Sequence, residues 1–239
     1  MHGTFEDGPE GIRAEIRAGL RDIAAPAVAA VPIGLLFGAV AAGKGLSVLE
    51  VALMSGLVFA GGAQFAAIEI WTVPVPVAVL VVSTLLINLR HVLMGASLAG
   101  RLGRFSRGQK LAQLALMADE NWAFAERRAA RQTLTPAYFG AMGAAFWVNW
   151  LVWCILGALA GSVLGDPRRL GADFAFTALF IGLVASFWRG RSSAVVIGAS
   201  AVVAAVVHGL AGPPWHVAAG ALAGILAAVL VAPSPEAGR

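Results

Sequence analysis

Asn88, Arg90 and His91 fall within one helical turn of an otherwise apolar stretch, with residues 75–87 leading in and 92–99 leading out. A guanidinium can grip a carboxylate, an amide offers both a donor and an acceptor, and an imidazole titrates near neutral pH and can relay protons. An arginine near a bilayer centre costs about 2.5–3.5 kcal/mol. Roughly nine Val, Leu and Ile residues ahead of it, at about 0.3–0.6 kcal/mol each, offset that cost, so the segment can enter a membrane with its polar turn. Asn88 and His91 are three apart and share a helix face, and Arg90 points elsewhere, so the turn can address two neighbours. The bland alternative is a helix that stops near residue 94 and lets Arg90 snorkel from its end. The apolar continuation over 92–98 favours the deeper position.

Two further patterns carry chemistry. Asp119 and Glu120 are adjacent acids in a half-apolar segment and form a natural counterpart to Arg90; they could also hold an ammonium or carry protons. An unpaired buried charge is costly, so Arg90 and one of these acids are expected together. The alternative is an interfacial helix that keeps both acids in water. Gly56, Ala60 and Gln64 recur every four residues and share one face, and the Gly61-Gly62 pair can unwind a helix and free backbone groups for a ligand. Gln64 is either a ligand group or a satisfied amide in a packing groove. Asn149, Glu69 and His208 are weaker candidates, each explicable by helix–helix bonding or an end position.

The elements that would position these residues are helices in lipid. Hydrophobic residues make up 59% of the 239-residue chain and charged ones 13%, about half of the roughly 25% usual in soluble domains. Apolar runs cover 23–42, 48–71, 74–99, 136–164, 172–188, 193–210 and 215–232, near the roughly 20 residues that cross a hydrocarbon core. Strand alternation is absent. The reading is an all-α integral membrane protein with about seven transmembrane helices, some broken or re-entrant, plus one short helix of uncertain depth over 111–125. Residues 1–22 form a charged N-terminal segment without a cleavable-signal pattern and with an amphipathic entry helix over 10–22. Residues 23–232 form a single transport domain, and 233–239 a disordered tail. Gly34/Gly38, Gly157/Gly161 and Gly220/Gly224 have the spacing of close helix packing.

Charge orients the chain. The loop 101–110 carries four cations and no acid, which suits the cytoplasmic side, and the uncharged links 72–76 and 211–214 suit the outside. Three full crossings before residue 101 would put the N-terminus outside, yet it carries Arg13, Arg17 and Arg21. Either the N-terminal charge bias is too weak to decide the orientation, or an early segment, at Pro32 or at Gly61-Gly62, is re-entrant. The net charge of +4 lies in short patches between apolar runs, a membrane pattern and not a nucleic-acid surface. Cys154 is the sole cysteine, so no intrachain disulfide forms. No nucleophile elbow, zinc-protease pair, Cys/His metal spacing or phosphate-binding loop is present, which argues against an enzyme, a resident metal or cofactor, and nucleotide hydrolysis.

Taken in order, Gly34–Gly38 after Pro32, residues 55–64 with Gly-Gly-Ala-Gln, Asn88-Leu-Arg-His91, Asp119-Glu120 and the later residues 172–180 resemble the AzlC family, the large subunit of bacterial branched-chain amino acid exporters associated with azaleucine resistance. The resemblance spans roughly residues 20–232. It implies a multi-pass permease of the bacterial cytoplasmic membrane that exports leucine, isoleucine or valine, driven by the proton motive force. It also implies a small, separately encoded membrane partner of the AzlD type, for which stripes such as Gly34/Gly38 and Gly220/Gly224 could accept helices. Gln64, Asn88, Arg90, His91, Asp119 and Glu120 are the expected substrate-binding or coupling residues. The competing class is a channel or scaffold subunit of a larger transport complex with a different small-molecule substrate.

Overall fold

A computed structural model of the chain describes residues 9–164, 190–212 and 215–231, with scattered positions between 181 and 188; the side chains of 162–164 are not described. The expected run 172–188 and tail 233–239 therefore lie outside the described residues, apart from those scattered positions. The elements among the described residues are all helices: α1 Pro9–Gly43, α2 Val48–Val58, α3 Gly61–Glu69, α4 Val77–Leu98, α5 Arg107–Ala115, α6 Asp119–Ala129, α7 Pro136–Leu164, α8 Arg191–Ala211 and α9 Trp215–Val231. A short 3₁₀ turn at Ala99–Arg101 follows α4. Four helices are long and apolar enough to cross a membrane, namely α1, α4, α7 and α8, while α2 and α9 are apolar but shorter.

The N-terminal segment differs from its expected form. The charged stretch and the first apolar run are one helix of 35 residues that passes through Pro26 and Pro32. Pro9 stands at its first position, where a missing N–H costs nothing. No turn residue separates Asp22 from Ile23, and a proline inside a packed membrane helix is tolerated when neighbours satisfy the freed carbonyl. At about 1.5 Å per residue the helix is about 52 Å long, so its charged first turns project beyond a core of about 30 Å. It ends at Gly43, and Gly45 with φ of +92° turns the chain while Leu46 N–H donates to the Ala41 carbonyl at 3.1 Å.

The chain divides into two compact units, residues 1–64 with 88–172 and residues 65–87 with 173–239. In the first, α1 and α7 run parallel. Gly19 abuts Tyr138, Gly34 abuts Trp153, and Gly38 abuts Cys154 and Ala158; Gly157 and Gly161 abut Leu35 and Ala39 in turn. The two small-residue stripes thus face each other, and Gly34/Gly38 is closed by α7 and not left open to a foreign helix. Phe37 and Trp150 stack in the core between them with ring centroids 6.4 Å apart. In the second unit α8 and α9 form an antiparallel hairpin, in which the Ser200 hydroxyl donates to the Gly220 carbonyl at 2.7 Å and Gly224 also lies over Ser200. Gly220/Gly224 is likewise a contact within the chain.

Parallel packing settles which ends lie together. Gly11 and Glu15 of α1, Arg104 and Gln109, and Thr135 just ahead of α7 line one cavity, so the N-terminal segment and the basic loop lie at the same end of the unit. Between them stand two long spans, α1 and α4. The second apolar run is not a third: α2 and α3 have 11 and 9 residues, about 16 Å and 14 Å at 1.5 Å per residue. Neither crosses a core of about 30 Å.

Candidate functional site

The break between α2 and α3 is built into the chain. Ser47 caps α2 in a capping box, its N–H donating to Glu50 Oε2 at 2.7 Å. The helix stops at Phe59, which adopts the left-handed conformation at φ 43° and ψ 43°, a region a bulky non-glycine residue enters only when its surroundings hold it there. Phe59 is buried and sits edge-on to Phe146 of α7 with centroids 6.1 Å apart. α3 then starts at Gly61, and its first hydrogen bond is Gln64 N–H to the Ala60 carbonyl at 2.9 Å. The N–H groups of Gly61, Gly62 and Ala63 precede that bond and form the positive end of α3.

Gln64 holds this break against α7. Its side chain is 1% exposed. Gln64 Nε2 donates to Ser55 Oγ at 3.1 Å, and Gln64 Oε1 accepts from Trp150 Nε1 at 2.9 Å. Trp147 Nε1 donates to the Gly56 carbonyl at 3.0 Å. The amide is spent on these neighbours, which favours its packing role over ligand contact. The break therefore sits level with Phe146–Trp150, the middle of α7.

A second break lies on the other side of the site. The segment expected as one element over 111–125 is two short helices, α5 and α6, joined by residues 116–118. Fully buried Asn121 fixes the joint: Asn121 Oδ1 accepts from Ala118 N–H at 2.9 Å, and Asn121 Nδ2 donates to the Leu116 carbonyl at 2.7 Å. Gly143 of α7 admits the joint, since a Cβ there would lie 3.0 Å from Leu116 Cβ. At the far end of α6, Arg128 bonds Glu15 and lies 3.9 Å over the Tyr138 ring. So α5 goes in, turns opposite Gly143, and α6 comes back to the charged end of α1. The two joints stand at nearby levels of α7, about 5–10 Å apart along its axis at 1.5 Å per residue.

Arg90 bridges them. A Cβ on Gly62 would lie 3.8 Å from Arg90 Nη2, so the guanidinium lies over the start of α3. Arg90 Nη1 stands 2.6 Å from Asp119 Oδ2, in a pair whose side chains are 38% and 46% exposed. The pair is half-buried rather than enclosed. Trp122 Nε1 donates to Ser97 Oγ at 3.0 Å, a second tie between α6 and α4. His91 meets the main chain at Met117, inside the second joint. Asn88 Oδ1, Arg90 Nε and His91 Nδ1 are buried and have no hydrogen-bond partner among the described residues. Such groups are costly unless something else satisfies them. Glu120 is exposed beside Asp119 and within electrostatic reach of Arg90, and lost hydration among its neighbours, with the Asp119 charge adding to it, raises its carboxyl above the usual range.

The structure thus gathers Asn88, Arg90, His91, Asp119 and the start of α3, leaves Glu120 at the edge, and sets Gln64 behind the site as a brace. Sequence reasoning missed Trp150, Asn121, and the Trp122–Ser97 pair. Only Asn121 carried a local signal, standing three residues after the residue that precedes α6. Among the described residues no group of three or more potential metal ligands occurs.

The chain is similar to proteins named as membrane proteins. It is 30% identical over 226 residues to Inner membrane protein YgaZ of Escherichia coli, covering 90% of this chain and 89% of that protein. It is 29% identical over 210 residues to an uncharacterized membrane protein of Archaeoglobus fulgidus, covering 86% and 87% respectively. No solved structure matches it. The AzlC protein family matches residues 26–164, a span that runs from α1 to the end of α7 and holds every residue of the site, and this chain is a membrane protein that belongs to that family.

Proposed function

We propose that this chain is a secondary transporter that exports branched-chain amino acids, driven by the proton motive force, in a bacterial cytoplasmic membrane and together with a small AzlD-type membrane subunit. The observation that carries the reading is the Arg90–Asp119 ion pair set between two helix breaks. A zwitterion needs a cation for its carboxylate and an acceptor for its ammonium. Arg90 and the N–H groups at the start of α3 supply the first. Asp119, with Asn88 and Glu120 nearby, supplies the second. Substrate then competes for both partners of the pair, which hold each other when it is absent. Protonation of Asp119 weakens the pair and frees Arg90, and His91 beside Met117 is placed to pass the proton. The valine, leucine and phenylalanine side chains of these helices would take the branched side chain. Gln64 acts through position, by fixing the break that presents α3.

The test is leucine efflux from dipeptide-loaded cells that express this chain with and without the small subunit. Efflux that needs both chains and collapses with the proton gradient is expected. Labelled leucine should also show counterflow in vesicles, because a carrier exchanges substrate against a gradient and a channel or scaffold does not. Efflux indifferent to the proton gradient, or vesicles without counterflow, overturns the carrier reading.

A further inference from the structure

At the charged end of the first unit, a cavity with charged and amide groups in a mostly apolar wall shares lining residues with an apolar groove. The cavity has a volume of about 810 Å³ and the groove about 850 Å³, and both are lined by Ile16, Pro136 and Ala137. The groove follows the outer seam of α1 and α7 past Leu20, Ala144 and Val148. Its one amide, Asn149, is already satisfied, donating to the Ala27 carbonyl at 3.0 Å and accepting from Trp153 Nε1 at 3.1 Å. An apolar chain can lie there without stranding a polar group.

The cavity differs in charge and in unmet bonding. Glu15 lines it, but the Glu15 carboxylate is taken by Arg128 and by the Thr135 hydroxyl. Arg104 also lines it and forms no ion pair among the described residues, so with Glu15 neutralised by Arg128 from outside the lining, Arg104 is left as the uncompensated charge. Gln113 lies in the wall only 6% exposed, and its buried Oε1 has no partner among the described residues. A buried acceptor of this kind calls for a donor. The site therefore offers a cation for an anionic group, an acceptor for a hydroxyl, and a long apolar continuation.

We propose that this joined cavity and groove hold an anionic glycerophospholipid whose headgroup carries free hydroxyls, its phosphate at Arg104, its hydroxyls at Gln113 and an acyl chain along α1 and α7. The charge of the 101–110 loop places this end in the headgroup layer. A free amino acid is too short to fill both parts, and a helix from another protein brings no phosphate. The proposal does not depend on which substrate is transported.

Native mass spectrometry of the purified full chain tests it, with phosphatidylglycerol and phosphatidylcholine of identical acyl chains. The chain should retain the first over the second by about tenfold, because only phosphatidylglycerol donates a hydroxyl to Gln113 and only phosphatidylcholine brings a cation beside Arg104. Arg104→Gln should lower retention of both lipids, since each offers a phosphate, and should narrow the difference between them, since the choline cation no longer meets Arg104. Ala144→Trp, at an exposed position that fills the groove, should lower both. Gln113→Leu should reduce the preference, but its burial risks misfolding, so the exposed Arg104 and Ala144 variants decide the outcome. Equal retention of the two lipids by the native chain, or full phosphatidylglycerol retention by Arg104→Gln, overturns the proposal.

Discussion

Arg90 Nη1 lies 2.6 Å from Asp119 Oδ2, and this one bond joins α4 to the first residue of α6. Asp119 stands where α6 is most positive, a place that favours a carboxylate, so the acid is held both by the helix start and by the guanidinium. Arg90 also lies over the start of α3. Two positive groups and one negative group thus share a small volume. An incoming carboxylate would relieve the imbalance, and an incoming ammonium would relieve Asp119 once Arg90 has turned to the substrate.

Removal of either partner should stop coupled transport without stopping membrane insertion. Arg90→Ala and Asp119→Asn should each lower proton-coupled leucine efflux by about tenfold or more, the loss of one charge-assisted contact. Arg90→Lys should rescue poorly, because a point charge lacks the planar fork that can hold a carboxylate through two bonds. Membrane levels are checked by blot. Normal, pH-dependent efflux in Asp119→Asn would show that this pair is not the coupling site.

Gln64 should behave as a brace. Gln64→Leu strands the Trp150 indole N–H in the core and should lower stability by about 1–3 kcal/mol, read as an earlier thermal unfolding in detergent. Leucine affinity at low temperature should change little. A large affinity loss with unchanged unfolding would instead mark Gln64 as a substrate ligand.

The ends of most elements were legible because apolar runs stop where charge or turn residues begin: 136–164 corresponds to α7 and 193–210 to α8 within two residues. The need of Arg90 for an acid was legible from the cost of a lone cation in lipid. The continuity of α1 was not, because proline acts as a breaker only when the freed carbonyl finds no substitute partner. The α2–α3 break falls at Phe59-Ala60, ahead of the glycine pair. The left-handed turn is made by a phenylalanine held against Phe146, a tertiary contact that local sequence does not announce. The same holds for Gln64, whose role is decided by Trp150, 86 positions away.

Parallel packing of α1 and α7 yields a labelling pattern. With Cys154 replaced by alanine, single cysteines at Glu10 and Ser106 should label alike, from the cytoplasmic side only. A cysteine at Lys44, in the turn after α1, should label in intact cells with an impermeant thiol reagent. Ser106 and Lys44 labelling from the same side would mean that α1 does not cross, and opposite labelling of Glu10 and Ser106 would break the shared end that the cavity near Glu15 requires.

The last prediction concerns pH. Lost hydration raises the Glu120 carboxyl above its ordinary value of 4.5, and Asp119 adds to the shift. A carboxyl raised in the folded chain favours folding fully below its unfolded value and loses that contribution as pH rises through the raised one. Ionised Glu120 also places a second negative charge beside Asp119, where it competes for Arg90. Glu120→Gln stays neutral at every pH and lacks both effects. Its thermal unfolding should therefore fall less steeply than that of the native chain as pH climbs from about 4.5 toward neutrality. Efflux by Glu120→Gln should keep its proton dependence if, as proposed, the coupling acid is Asp119. If Glu120→Gln flattens the pH profile of efflux and Asp119→Asn does not, the coupling role passes from Asp119 to Glu120, and the 2.6 Å pair becomes a tether between α4 and α6.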